Sequence, residues 1–207
     1  PPPPPPFQAE DGIRDSVNGL VGSEMCIRDS LKITQLAPHG SAVLIRLIGP
    51  GEVCGGLGLP LSGRYPYSAE ALETSHALVW QQADLATLME RFPALGRNAL
   101  RIQSERLRML EERYRELATE RVPPRLARTL VRLVGHIGRP GEGGVRVALS
   151  REELAQMVGT TLFTVSRLLS EWEGRGLVQG RREAVVVRDL GGLADLAEHA
   201  VANEGRE

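Results

Sequence analysis

The sequence predicts an α+β fold made of a partial β domain, a long amphipathic helix and a C-terminal winged helix-turn-helix. Three observations support this. Two short amphipathic helices meet at Gly159, apolar residues recur at heptad spacing within residues 93–120, and short apolar runs such as Val43 to Ile48 alternate with glycine-rich turns. The predicted parts are the β domain over 31–92, the helix over 93–120, the winged helix-turn-helix over 121–190 and a tail over 191–207.

The helix-turn-helix is predicted around Gly159. Ser150 and Glu153 have the spacing of a capping box, which begins the first helix. Gly159 suits the left-handed position that ends this helix, so the turn comprises Val158 to Thr160. Thr161 then caps a second helix, whose apolar residues follow helical spacing and leave one polar face available for binding.

That polar face carries the side chains expected to meet DNA. A guanidinium can donate two hydrogen bonds to guanine O6 and N7, so Arg167 is the main candidate for base recognition. Contacts to phosphates or base edges are expected from the hydroxyl groups near the start of the helix. These belong to Thr160, Thr161, Thr164 and Ser166. The alternative is a helical hairpin that packs inside a winged helix used for protein contact.

A short β hairpin is predicted beside the helices. The β-branched run Val185 to Val187 is typical of a strand, and Gly143 to Leu149 supplies a partner strand. This arrangement makes a winged helix, with Arg181 and Arg182 at the tip of the wing and within reach of phosphates. The alternative for each arginine is a place in a solvated turn.

The charge of the chain is distributed unevenly. The stretch from Arg121 to Asp189 has 12 arginines and 7 acidic residues, a net +5, whereas the other residues carry a net −6. A basic module beside an acidic one is expected when only one of them meets a phosphate backbone. Because the chain has 24 Arg and one Lys, part of the arginine excess is compositional, and the sign asymmetry is the better evidence.

The long helix has a narrow apolar seam with the spacing of a coiled coil. Its residues are separated by 3, 4, 3, 4 and 3 positions, with Arg and Glu on the flanks. The seam comprises Leu100, Gln103, Leu107, Leu110, Tyr114 and Leu117. This pattern predicts pairing with a second copy of the chain. The alternative is a helix that lies on its own domain.

These motifs resemble a known family. The stretch from Leu149 to Val178, followed by a short hairpin, resembles the DNA-binding domain of the Crp/Fnr regulators, the relatives of the cAMP receptor protein. Leu31 to Phe92 resembles the second half of their cyclic-nucleotide-binding β-roll. The resemblance implies a dimeric, effector-responsive transcription factor that binds double-stranded DNA at two-fold sites. It admits RNA polymerase as a further partner, and the choice between activation and repression stays open.

The chain departs from the effector sites of that family. Members that bind cAMP carry Gly-Glu-Leu and then Arg-Ser, whereas this chain has Gly55, Gly56 and Leu57, followed by Tyr67 and Ser68. Both charged partners of cAMP are absent, so the usual cAMP binding is not expected. Members that hold an iron-sulfur cluster need four cysteines, and this chain has 2, so no cluster is expected either. A haem or a reactive thiol stays open, with His39, His76 and Cys54 as candidates, and no effector is assigned.

A second departure lies in the helix that reads DNA. Many relatives have a glutamate three positions before the residue that precedes the arginine, and Phe163 occupies that position here. A carboxylate accepts a hydrogen bond from cytosine N4, whereas a phenyl ring can only pack on a thymine methyl group or on protein. The preferred DNA half-site is therefore expected to differ from the usual one.

The first 30 residues show no coherent apolar period and contain the sequence IRDS twice. They resemble translated sequencing-adapter sequence joined to a coding region, with a disordered tail as the alternative, and they are excluded from the fold prediction. On this interpretation the β domain lacks its first strands.

The remaining features argue against other classes of protein. No P-loop, H-E-x-x-H or C-x-x-C motif occurs, and the 4 histidines are scattered, so no enzymatic activity and no metal site are expected. No apolar run approaches ~18 residues, which favours a cytoplasmic protein. A DNA-binding or dimerising remnant without a working sensor stays open as an alternative function.

Overall fold

The computed structural model describes residues 7–9, 22–26, 30–37, 42–55, 67–72 and 75–198, and the chain forms two compact units. The first unit ends at Met109 and the second begins at Leu110, so the boundary lies inside the long helix. Both units combine helices with antiparallel strands, which confirms the α+β prediction.

The first unit contains two small sheets. Its strands are β1 Phe7–Ala9, β2 Gly22–Cys26, β3 Leu31–Leu36, β4 Ala42–Ile48, β5 Val53–Cys54, β6 Ser68–Ala71 and β7 Ser75–Gln81. One sheet has the order β1-β7-β2-β5 and the other has the order β4-β3-β6. Leu31, Ile33 and Ile48 of the second sheet pack with Cys54 of β5 in a buried core, against which Tyr67 also packs. The predicted strand at 43–48 is confirmed as β4.

Two of these strands lie in the first 30 residues. β1 and β2 pair with β7 on its two sides, and β2 also pairs with β5. Phe7–Ala9 and Gly22–Cys26 thus lie in the segment that was excluded from the fold prediction. The segment has no apolar periodicity, so no local sequence pattern predicts these strands.

The described residues form the helices α1 Gln82–Arg91, α2 Pro93–Thr119, α3 Val122–Ile137, α4 Arg151–Val158, α5 Leu162–Gly174 and α6 Leu190–Glu198. The second unit adds β8 Arg139–Gly141, β9 Gly144–Val147, β10 Val178–Arg181 and β11 Ala184–Val187, in the sheet order β10-β11-β9-β8. The predicted pairing of the segment before α4 with the strand after α5 is confirmed, since Val185 and Val187 oppose Val147 and Val145.

The C-terminal segment begins as a helix. Leu190–Glu198 lies at the start of the predicted tail over 191–207 and packs on α3, and residues 199–207 lie outside the described residues. Leu193 and Ala197, four residues apart, are buried on its inner face. The two glycines at its start weaken the helical signal in the sequence, and burial against α3 supplies the stability that propensity does not.

A buried carboxylate fastens the end of α2 to α3. Glu116 is 1% exposed, and its two oxygens accept hydrogen bonds from Arg132 at 2.6 and 2.9 Å. Arg128 lies 3.8 Å from the same carboxylate and also bonds to Glu120. Burial raises the pKa of Glu116, but the hydrogen bond and charge of Arg132, with two further arginines nearby, outweigh it and hold the pKa below its ordinary value.

We expect Glu116→Gln to lower the free energy of unfolding at neutral pH by about 2 kcal/mol, because the amide keeps the shape but loses the charge that the arginines bind. The folded-state pKa lies below the unfolded-state value, so the carboxylate contributes fully above about pH 4.5 and its contribution is lost as the pH falls further. Urea unfolding at neutral pH and at about pH 3.5 measures the effect. The difference in the free energy of unfolding between wild type and variant should be smaller at the lower pH.

Glu105→Gln is the matched control. The Glu105 carboxylate is exposed and bonds to Arg108 on the same helix, so its loss should change stability little at either pH. A stability difference for Glu116→Gln that does not change with pH would contradict the assigned role.

Candidate nucleic-acid interface

The start of α4 has the predicted capping box. The Ser150 hydroxyl accepts a hydrogen bond from the Glu153 amide at 3.1 Å, and the Glu153 carboxylate accepts one from the Ser150 amide at 2.8 Å. Two of the amides that lack a partner within the helix are thereby satisfied. The predicted beginning of the helix-turn-helix is confirmed.

The turn after α4 requires glycine. Gly159 has φ 65° and ψ 50°, the left-handed conformation predicted from the sequence. A Cβ at this position would lie 2.7 Å from Leu117 Cδ2, the movable end of an exposed side chain, so the left-handed backbone is the main reason for glycine here. Leu117, a residue of the predicted seam, therefore packs against the turn.

Every carbonyl of the last turn of α4 has a donor. The Gly159 and Thr160 amides donate to the carbonyls of residues 155 and 156, as in other helices that end on a left-handed residue. The next two carbonyls accept from arginines: Arg113 donates to Met157 at 3.2 Å and Arg125 donates to Val158 at 2.8 Å. These side chains neutralise the negative end of the helix dipole and fix the turn.

These two arginine contacts have no signal in the sequence. Arg113 lies 44 residues and Arg125 33 residues from its acceptor, so no local pattern signals the contacts. Burial lowers the pKa of Arg113, the charge of Arg132 lowers it further, and Glu116 acts in the opposite direction. Their structural role also removes them from the set of charges available for DNA.

The second helix of the motif, α5, has its core face and its outward face on opposite sides. Four apolar residues are buried at 3% exposure or less, namely Val165, Leu168, Leu169 and Trp172. Phe163 and Arg167 are one turn apart and lie opposite this buried stripe, and both are exposed. The side chains that the sequence proposed for base contact therefore point away from the protein.

Two of the hydroxyl groups near the start of α5 cap the helix. The Thr161 hydroxyl accepts a hydrogen bond from the Thr164 amide at 3.2 Å, and the two hydroxyls lie 3.0 Å apart. This is the predicted helix cap, in which the Thr161 and Thr164 hydroxyls are hydrogen-bonded to each other. Thr160 and Ser166 are half-buried beside them, whereas Phe163 and Arg167 are exposed.

The wing is formed by β10 and β11. Arg181 ends β10 and pairs with Ala184, so Arg182 and Glu183 form the tip, with Glu183 at φ 55°. Arg181 and Arg182 are both exposed, in the position predicted for phosphate contact. Arg181 donates to Gln179 at 3.2 Å, which orients its guanidinium along the wing.

The positive charge of the second unit is partly used inside it. Arg125, Arg128 and Arg132 bond to backbone carbonyls or to the carboxylates of Glu116 and Glu120. Those two acids precede Arg121 and were outside the predicted charge count. The arginines of α5 and the wing, which are exposed, supply the charge that remains for a phosphate backbone.

The positions that hold cAMP in the resembled family are partly described. Tyr67 packs against the apolar core and Ser68 is exposed at the start of β6, whereas Gly56 and Leu57 lie outside the described residues. The carbonyl of Gly55 accepts a hydrogen bond from Arg106 of α2 at 3.3 Å, and the carbonyl of Val53 accepts another. Burial, and then the charge of Arg46, lower the pKa of Arg106.

The other candidate sensor residues give no assembled site. Cys54 is buried, His76 is half-buried on β7, and His39 lies outside the described residues. Within the described part of the chain, no group of three or more His, Cys, Asp or Glu side chains could hold a metal ion. In the same part, no helix is both long and apolar enough to cross a membrane.

Comparison with known families agrees with this geometry. Residues 124–196 match the family described as the Crp-like helix-turn-helix domain, and residues 30–92 match the cyclic nucleotide-binding domain. Both ranges coincide with the two parts in which the sequence showed its resemblance. The relatives that match over both parts are transcriptional regulators.

Individual relatives extend over most of the chain. A CRP-like cAMP-activated global transcriptional regulator of Mycobacterium tuberculosis is 29% identical over 170 residues, which cover 81% of this chain and 76% of the relative. The transcriptional activator protein anr of Pseudomonas aeruginosa is 28% identical, with 85% and 73% covered. The structure of FixK2 from Bradyrhizobium japonicum has the same fold, with a TM-score of 0.75 at 20% identity over 93% of this chain and 96% of FixK2. The chain belongs to the Crp/Fnr family of DNA-binding transcriptional regulators.

Proposed function

We propose that the protein is a homodimeric regulator that reads a two-fold DNA site with the outward face of α5. The observation that carries this proposal is the separation of that helix into a fully buried apolar stripe and an opposite face on which Phe163 and Arg167 are exposed. The capped start of α5 is the end that a major-groove helix directs at base edges. Its amide dipoles also favour the negative charge of DNA.

The arginines divide into two roles. Arg167 donates to guanine O6 and N7 in the major groove, and Ser166 and Thr164 contact phosphate or a base edge. Arg181 and Arg182 on the wing contact phosphates, which sets the position of the domain without selecting a sequence. Thr160 and Thr161 lie at the turn and act mainly by holding the helix start in place.

The seam of α2 is the surface proposed to meet the second copy. Its large apolar side chains are well exposed in one chain, with Tyr114 at 74%, Leu100 at 64% and Leu110 at 60%. Side chains of this size at heptad spacing bury their surface when two helices pack together. Two reading helices would then lie about 34 Å apart, on successive major grooves of an inverted repeat.

The effector is proposed to differ from cAMP. The Mycobacterium relative is described as cAMP-activated, but this chain has Gly56 and Tyr67 where cAMP-binding members have a glutamate and an arginine. Tyr67 packs against the apolar core, and the residues that directly follow it, Ser68 and Ala69, carry no positive charge. We infer a cytoplasmic regulator whose first unit responds to another signal and which contacts RNA polymerase at its promoters.

Arg167→Ala should relax sequence preference at one base pair of each half-site. The loss of two hydrogen bonds to guanine removes about 1 to 3 kcal/mol of discrimination against the wrong base. The measurement is selection of bound sequences from a random DNA pool by the wild-type chain and by the variant. Arg182→Ala is the matched control, and it should weaken binding to all sequences evenly and reduce the salt slope by about 1. Even loss of affinity for all sequences in Arg167→Ala would contradict its role as a base reader.

Leu110→Glu should shift the chain from dimer to monomer, because a charge in the middle of the seam has no partner once it is buried between helices. Sedimentation at several concentrations measures the change. Met109→Glu is the control, since Met109 is also exposed, at 43%, but lies on another side of α2. A wild-type chain that is monomeric at all concentrations, or equal effects of both variants, would favour a helix that lies alone.

Cyclic AMP should leave the affinity for the selected DNA unchanged. The charged groups that would hold the cyclic phosphate and the ribose hydroxyl are missing from the motif. Fluorescence anisotropy with labelled DNA, with and without saturating cAMP, tests this, and 5′-AMP serves as the control nucleotide. Tighter binding with cAMP but not with 5′-AMP would refute the proposal and show that the protein depends on cAMP.

A further inference from the structure

An apolar pair lies at the amino end of α5, where a polar surface would be expected. Phe163 is 77% exposed, the highest value among the large apolar side chains in the described part of the chain, and Leu162 beside it is 49% exposed. Every other large apolar residue of α5 is buried at 3% or less. These two side chains are therefore not part of the core and are placed to meet something outside the protein.

The position of Phe163 relative to Arg167 decides what it can meet. The two residues are at i and i+4, so their Cβ atoms are about 5 to 6 Å apart on the same face. When Arg167 reaches a guanine, the phenyl ring reaches an adjacent or next base pair of the same groove. Leu162 flanks the ring on the side nearer to the protein and continues the apolar surface.

The chemistry of the groove leaves one feature for an apolar ring to recognise. A phenyl group neither donates nor accepts a conventional hydrogen bond, and the apolar group at a pyrimidine edge in the major groove is the methyl at C5. Thymine carries this methyl, cytosine lacks it, and 5-methylcytosine has it again. The oxygen or amine at C4, which distinguishes thymine from cytosine, gives no signal to the ring.

We propose that Phe163 makes the protein a reader of C5-methylated pyrimidines, so that 5-methylcytosine is bound better than cytosine at the position that the ring contacts. This inference rests on the proposed function and deepens it. Cytosine methylation within a site thereby strengthens binding, whereas a carboxylate at residue 163 would read cytosine N4 and leave the methyl group unread.

The expected size follows from the burial of one methyl group. Removing one methyl from an apolar contact weakens binding about fourfold, and removing it from both half-sites of a two-fold operator weakens it by about tenfold or more. The comparison of thymine with deoxyuridine, and of cytosine with 5-methylcytosine, changes only this methyl. The hydrogen-bonding groups of the base pair stay the same in each comparison.

The experiment begins with sequences selected from a random DNA pool by the full 207-residue chain. Each thymine of the selected site is then replaced by deoxyuridine, and each cytosine by 5-methylcytosine, one position at a time in both half-sites. At the position facing Phe163 we expect deoxyuridine to weaken binding. With cytosine placed at that position, we expect methylation to strengthen binding by a similar factor.

Two variants assign the effect to the ring. Phe163→Ser should abolish the methyl dependence, and because the residue is exposed, the fold should not be affected. Leu190→Ser removes another exposed apolar side chain, at 44%, far from α5 in sequence, and should leave the methyl dependence unchanged.

The outcomes separate this inference from the proposed function. A methyl effect that is lost in Phe163→Ser supports the proposal. Sequence-selective binding with no methyl-sensitive pyrimidine, or with a methyl effect that persists in Phe163→Ser, overturns it and leaves the proposed function standing. Binding without any sequence preference overturns the proposed function and this inference with it.

Discussion

The Glu116 carboxylate is the contact on which the arrangement of the second unit depends. It is buried at the end of α2 and bound by Arg132 of α3, so it would be costly to leave without its partner. With α2 held there, Arg113 one turn earlier reaches the end of α4, and Leu117 packs on Gly159. The same helix end therefore carries part of the exposed seam and supports the turn that orients α5.

This support has an electrostatic consequence for DNA binding. The arginines that pack inside the unit face carboxylates or backbone carbonyls, and those partners neutralise them or hold them in place. The arginines of α5 and the wing remain at the surface, where long-range attraction to phosphates is strongest. The net charge of a domain thus overstates what the DNA meets, and the placement of each guanidinium decides its role. Arg125 and Arg167 illustrate the two extremes.

Local chemistry explains which features the sequence could predict. Capping at Ser150 and Thr161, the left-handed Gly159 and the strand at Val185 to Val187 depend on neighbours within a few residues, and all of them are found in the structure. The contacts of Arg113 and Arg125 join segments more than 30 residues apart, and no periodicity reveals them. The same reason hid β1 and β2, which form by pairing with β7.

The turn at residues 53–55 of the first unit is also held by a contact between segments distant in sequence. The Arg106 side chain of α2 donates hydrogen bonds to the carbonyls of Val53 and Gly55. These carbonyls directly precede the position at which cAMP-binding members carry the Gly-Glu-Leu motif. Burial already disfavours the charged form of Arg106, and Arg46 nearby adds to that cost. Carbonyl oxygens that accept from a guanidinium hold it firmly, and they offer nothing to an anionic phosphate. The described part of the turn is thus organised around Arg106, a cation of α2 in the same unit.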